Sequence, residues 1–307
     1  MLSFCPFPVC MSCSHHTPYR GRFAPSPSGD LHFGSLVAAL GSYLDARAHQ
    51  GQWLVRMEDI DPPREVAGAS VSILNTLEQF GLCWDEPVVY QSQRHEFYRD
   101  SLASISANHA CYGCDCTRKM IMQGGGLYQS HCVDKAVESL ANPHSIRFNN
   151  QQGLDHFDDR LHGRVTVAQD FAQEDFILKR KDGLYAYQLV VVLDDIDQKI
   201  TDIVRGSDLL EVTTRQMTLY QYLEQPFARY LHLPLAVTDN GLKLSKQNHA
   251  KALDLQNKRG LLIDALSFLG QKVTHEYQDF TIEQLLEFAA KNWSLKTMSK
   301  QAQIISY

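Results

Sequence analysis

The chain has 307 residues, 44% hydrophobic and 21% charged, enough to bury one large core or two modest ones. This excludes a disulfide-stapled miniprotein and a disordered tail. A formal net charge of -6 and a pI near 6.1 create no overall field that would draw the chain onto nucleic acid, so a polyanionic partner must meet local patches.

No apolar run reaches the roughly 18 to 20 residues needed to cross a bilayer. Residues 1–20 lack a basic opening and are interrupted by Pro6, Pro8 and several cysteines, a poor match to a secretory signal. They read as a flexible leader with Met11 as an alternative start, and a cytoplasmic location is expected. In such a chain the eight cysteines are expected to be reduced.

Arg22-Phe23-Ala24 reads as a strand. Leu36, Val37, Leu40, Tyr43 and Leu44 carry a helical period, and Trp53 to Met57 supply a second strand. This β-α-β unit opens a doubly wound parallel sheet, an α/β fold. Helices are predicted at about 64–81, ending on Gly81, and at about 93–108. From Cys111 to Cys132 the period is lost and Gly124-Gly125-Gly126 appears, marking a small insertion held by something other than a core. Strands are predicted at 145–148, 165–167 and 176–178, and the apolar run Tyr187 to Leu193 suits a buried parallel strand. A helix near 207–224, a strand at 234–238 and helices near 257–270 and 281–292 follow. The expected organisation is a leader (1–20), a first half of the catalytic domain (21–110), a metal-binding insertion (111–145), the remainder of the insertion with the second half of the domain (146–250), and a short helical end (251–307).

Two blocks carry chemistry. Arg22 to Ser35 (R-F-A-P-S-P-S-G-D-L-H-F-G-S) places His32 and Gly34 where a strand hands over to a helix, whose unpaired N–H groups attract phosphate. Gly241 to Gln247 (G-L-K-L-S-K-Q) puts two lysines around a serine on a downstream loop. Taken singly, each reads as an ordinary turn. Together they resemble the HIGH and KMSKS signatures of class I aminoacyl-tRNA synthetases, the first block being close to the glutamyl subgroup pattern R-F-A-P-S-P-T-G-x-L-H-x-G. The likeness spans roughly residues 21–250 and implies a Rossmann-type catalytic domain.

The resemblance implies roles. His32 and the backbone at Gly34 would hold the ATP triphosphate, Gly34 because a Cβ would obstruct the approach. Lys246, assisted by Lys243, would follow charge onto the departing pyrophosphate, with Mg²⁺ arriving on ATP. Arg22 is suited to a two-pronged grip on the side-chain carboxylate of glutamate, within the stretch Arg22, Phe23, Ala24, Pro25 and Ser26. Glu58, in Arg56-Met57-Glu58-Asp59-Ile60-Asp61, resembles the family's R-x-E-D-x-D and would pair with the ammonium. Tyr187 and Arg205 correspond to later glutamate contacts, Tyr187 serving equally well as a core aromatic.

Cys114, Cys116 and Cys132 cluster with Tyr128, and Cys111 lies three residues upstream. Coordination chemistry alone favours four thiolates, Cys111 included, because a phenol ligates reluctantly. Family resemblance instead implies a structural Zn²⁺ held by Cys114, Cys116, Tyr128 and Cys132.

About sixty residues follow Lys246, too few for the anticodon-binding region of a glutamyl-tRNA synthetase. The pattern resembles the truncated paralogues that attach glutamate to the queuosine base at the wobble position of tRNA(Asp). The partners this implies are ATP, L-glutamate and the queuosine-bearing anticodon stem-loop of tRNA(Asp), for a chain expected to be a monomer without membrane contact. Rival readings are a minimal glutamyl-tRNA synthetase charging the 3′ end of tRNA(Glu), and a nucleotidyltransferase activating a small carboxylate without RNA. The Met298-Ser299-Lys300 tail is read as a chance echo of the lysine motif.

Overall fold

The computed structural model describes residues 18–135, 143–237, 251–301 and 303–305. The leader as far as residue 17 and the segment 238–250, which holds Lys243 and Lys246, lie outside the described residues.

Strands β1 (Arg20–Phe23) and β2 (Gln52–Met57) pair in parallel, with Gly21 opposite Trp53 and Phe23 opposite Val55. Helix α1 (Phe33–Ala48) connects them. It begins where His32 and Ser35 cap one another: Ser35 N–H donates to His32 Nδ1 at 3.3 Å, and His32 N–H donates to Ser35 Oγ at 2.7 Å. A Cβ on Gly41 would lie 2.6 Å from Leu233 Cδ1, so any larger residue there would force the Leu233 side chain to shift.

Among the described residues the main sheet has seven strands. Their order is β3 (Val89–Tyr90), β2, β1, β9 (Asp202–Gly206), β10 (Arg229–Leu233), β6 (His156–Asp159) and β7 (Gly163–Thr166). Pairings from β3 to β6 are parallel, and β6 with β7 is antiparallel. Chain order runs from β1 outward to β3 on one side and from β9 outward to β10 on the other. The winding therefore reverses between β1 and β9, and in such sheets the crevice beyond the strands' carboxyl ends at that reversal is where ligands bind. The doubly wound sheet expected from the sequence is present.

Alternation along the strands fills both faces. Trp53, Val55 and Met57 of β2 join one apolar cluster with α1, α2 (Ala69–Gln79), α8 (Lys258–Phe268) and α9 (Ile282–Lys291), whereas Leu54 joins another with Ile203 and Tyr230. A third cluster packs α3 (His95–Ala107), α6 (Tyr187–Asp197) and α7 (Thr213–Tyr222) through Tyr98, Leu189 and Leu219. A separate antiparallel sheet of β4 (Cys111–Cys114), β5 (Ser145–Phe148) and β8 (Ile177–Lys179) carries the cysteine insertion, so a small sheet supports that segment. Strand β11 (Leu235–Val237) pairs with β12 (Gln303–Ile305), and Met298 is buried in the α1–α8–α9 cluster.

The clear departure is Tyr187 to Leu193, predicted as a strand and observed as the first part of helix α6. Leu189 to Asp195 are buried without a break, so the helix shows no polar stripe, and its three successive valines mimic a strand. Two predicted helices also start late: Pro62–Arg64 and Ser207–Leu209 form single 3₁₀ turns ahead of α2 and α7.

Candidate active site and metal centre

A cavity of about 590 Å³ opens beyond the carboxyl ends of β1, β2, β9 and β10. Arg22 to Ser26 leave β1 along its wall, His32 and Gly34 bring the N-terminus of α1, and Glu58 follows β2. Tyr187 starts α6, and Arg205 lies near the end of β9. The sequence-predicted contacts for glutamate and ATP within the described residues thus line one space. Both flanks of segment 238–250 border it: Leu235 and Ala236 line the cavity, while Ala252 bridges His32 and Leu253 N–H donates to Leu31 O at 3.1 Å.

Arg22 is buried, and its Nε and Nη2 donate to the two Asp195 oxygens at 2.9 and 3.1 Å. The edge expected to grip substrate is therefore held by a protein carboxylate. Asp195 also accepts from Arg56 Nη1 at 2.8 Å. Burial opposes its ionisation, but the two guanidinium groups outweigh burial and hold its carboxyl below the ordinary range.

Glu58 has the opposite balance. Burial pushes its carboxyl up to about 7, because its nearest cation, Arg56, stands 3.6 Å away and only partly offsets the loss of water. Glu58 Oε1 is buried and accepts no hydrogen bond. A bound ammonium would supply that missing partner.

Arg205 spends its donors within the protein: Nε on His232 Nε2 at 3.1 Å, Nη1 on Gln216 Oε1 at 2.8 Å and Nη2 on Thr213 Oγ1 at 2.7 Å. His232 is fully buried, and burial pushes its imidazole down to about 4, although Asp159 Oδ2 at 2.8 Å from Nδ1 partly restores it. The ring is thus neutral at pH 7, donates through Nδ1–H to Asp159 and accepts from Arg205. The sequence reading missed Asp195, His232 and Asp159. The Asp194-Asp195 pair ending an apolar run was the available signal, since buried carboxylates require cationic partners.

The sulfur atoms of Cys114, Cys116 and Cys132 lie within 4.8 Å of one another. Burial, reinforced by the neighbouring thiols, pushes Cys116 up to about 12. For Cys114 burial is outweighed by hydrogen bonds from Tyr128 and Arg147, which hold its thiol below the ordinary range. The Tyr128 hydroxyl accepts from Cys132 N–H at 3.0 Å, and its ring lies 3.7 Å from the Arg147 guanidinium carbon. Crowded thiols resist joint ionisation unless a cation sits between them, so this cluster can hold a metal ion. Cys111 is not part of it: three residues before Cys114 on β4 it faces the other way, and its Sγ meets Ser106 Oγ at 3.0 Å. In this structure Cys111 thus stands apart from the three clustered thiols.

Residues 19–303 match the family model described as "tRNA synthetases class I (E and Q), catalytic domain". The glutamyl-Q tRNA(Asp) synthetase of Photobacterium profundum is 51% identical over 299 residues, covering 97% of this chain and 95% of that protein. Its namesake from Escherichia coli (strain K12) is 52% identical over 286 residues, covering 93% and 92%. Among solved structures, the glutamate-tRNA synthetase of Elizabethkingia anophelis superposes with a TM-score of 0.76 at 23% identity, covering 94% of this chain and 68% of that one, a likeness of fold. The chain belongs to the class I tRNA synthetases of the glutamyl and glutaminyl type.

Proposed function

We propose that this protein activates L-glutamate with ATP and transfers it to the queuosine base at the wobble position of tRNA(Asp). The observation that carries the activation step is the buried Glu58 carboxylate, one oxygen of which accepts no hydrogen bond, sharing a cavity with Arg22 and with the capped start of α1. Glutamate offers an ammonium to Glu58 and a side-chain carboxylate to Arg22, with Tyr187 and Arg205 closing the wall and Phe23 to Ser26 shaping the floor. Support for the acceptor comes from the printed names of relatives that are half identical over nearly the whole chain.

His32 and Gly34 then receive the triphosphate. The glutamate α-carboxylate attacks the α-phosphorus, the bond to the β-phosphate oxygen breaks, and pyrophosphate leaves, its charge balanced in this proposal by Lys246 and Lys243. Mg²⁺ bound to the phosphates supplies further positive charge. Zn²⁺ is the metal proposed for Cys114, Cys116, Tyr128 and Cys132, since soft thiolate donors suit it and four protein ligands leave no catalytic water position. Its contribution there is structural.

ATP–pyrophosphate exchange tests the activation step: exchange is expected with L-glutamate and weak with glutamine or aspartate. Labelled glutamate is expected on tRNA(Asp) from normal cells and absent from tRNA(Asp) lacking queuosine. Equal exchange with glutamine, or charging independent of queuosine, would refute the reading.

A further inference from the structure

Arg22 and Arg205 are both buried and line the same cavity, but their partners differ in charge. Arg22 is neutralised where it stands, donating to both oxygens of the Asp195 carboxylate. Among the described residues, the hydrogen-bond partners of Arg205 are all uncharged. They are the His232 ring, the Gln216 amide oxygen and the Thr213 hydroxyl, with the Leu209 backbone oxygen at 3.4 Å. The Tyr230 ring adds a further uncharged support, its centroid 5.3 Å from the guanidinium carbon. A buried cation held by neutral groups keeps its charge for an anionic guest, since a buried charge is costly until an opposite one accompanies it.

Neighbouring parallel strands build this support, with Gln216 and Thr213 added from α7. Arg205 on β9 lies opposite His232 on β10, and Asp159 ends β6 along the other edge of β10. The Asp159 carboxylate is engaged by N–H donors on both oxygens. Its Oδ2 accepts from the His232 backbone N–H at 3.0 Å and from ring Nδ1 at 2.8 Å, and its Oδ1 accepts from Leu161 and His162 N–H, each at 2.9 Å. With Nδ1–H committed to Asp159, the lone pair of Nε2 is turned toward Arg205 Nε–H at 3.1 Å. The negative charge of Asp159 therefore stays one imidazole away from the guanidinium. A carboxylate in direct contact would orient Arg205 equally well and cancel its charge, as Asp195 does for Arg22.

We infer that His232, its tautomer set by Asp159, and Gln216 are positioning residues that hold Arg205 at the amino-acid cavity while leaving its charge for a carboxylate of the substrate. The inference rests on the proposed function and adds what keeps one of its binding groups both oriented and charged. Both residues act through Arg205 rather than by touching the substrate.

Glutamate-dependent ATP–pyrophosphate exchange by variants of the full chain tests this. Gln216→Glu places a carboxylate at the 2.8 Å contact with Arg205 Nη1, at almost unchanged size. Gln216→Met removes the amide's bonds to Arg205 and Gln188 and adds no charge. His232→Asn keeps a donor for Asp159 and withdraws the acceptor from Arg205, whereas His232→Gln extends an amide oxygen toward Arg205. The KM for glutamate is expected to rise at least about tenfold in Gln216→Glu and His232→Asn, and about threefold or less in Gln216→Met and His232→Gln. The kcat and the KM for ATP should stay within about twofold of the wild type in all four. A Gln216→Glu enzyme whose KM for glutamate rises no more than that of Gln216→Met would overturn the inference, whatever the His232 variants do to the melt. Loss of kcat and thermal stability in both His232 variants, with KM unmoved, would mark a purely structural network and overturn it as well. Absence of glutamate-dependent exchange in the wild type would instead refute the function on which the inference rests.

Discussion

Replacing Glu58 by glutamine should stabilise the fold and abolish its use. In the folded chain the Glu58 carboxyl titrates at about 7, against an ordinary value of 4.5. A folded-state value above the unfolded one means that the folded state holds its proton more tightly. As pH rises from 4.5 the unfolded chain deprotonates first, so stability falls through this window and levels off above pH 7. A displacement of this size corresponds to about 3 kcal/mol at full effect. For a domain of this length that is a Tm change of about 5 °C. Thermal melts of the wild type and Glu58→Gln, run from pH 5 to pH 8 without ligand, should therefore diverge progressively, with the variant more stable at the upper end. The same ionisation governs substrate: the apparent KM for glutamate in exchange should rise about tenfold for each pH unit below 7, since only the carboxylate pairs with an ammonium. Saturating L-glutamate should shrink the stability gap at pH 8 by supplying the missing partner to the wild type. A Tm difference that stays constant from pH 5 to pH 8 would refute the assignment of a carboxyl that burial holds above its ordinary range.

Other outcomes follow from the same geometry. Arg22→Lys loses the two-pronged contact with Asp195 and should reduce glutamate-dependent exchange at least about tenfold, read as a higher KM for glutamate. Metal analysis should return about one zinc per chain for the wild type and for Cys111→Ser, and a loss of zinc for Cys132→Ser; retention in Cys132→Ser would contradict the cluster as the metal centre. Lys246→Ala should slow exchange by about a hundredfold with an unchanged circular dichroism spectrum and melt, and an unaltered rate would remove this lysine from pyrophosphate departure.

The β-α-β opening was readable because Leu36, Val37, Leu40, Tyr43 and Leu44 repeat at helical spacing in α1 and β2 has strand-forming residues bounded by turns. The site motif was readable for a related reason: Arg22 to Ser35 is a continuous stretch in which strand, loop and helix cap follow one another. Helix α6 was not, because its apolar run Leu189 to Leu193, with three successive valines, has the composition of a buried strand, and the error concealed Asp195 as the anchor of Arg22 and Arg56. The Arg205–His232–Asp159 chain joins residues from three strands across long sequence separations, which no local pattern encodes. At the thiol cluster, spacing alone admitted Cys111, which strand alternation turns toward Ser106.

The central claim is that glutamate ends on an anticodon base. Digesting tRNA(Asp) charged with labelled glutamate, and locating the label among the fragments, tests it most directly. The account predicts label on the queuosine nucleoside of the anticodon fragment, and label on the 3′-terminal adenosine would contradict it.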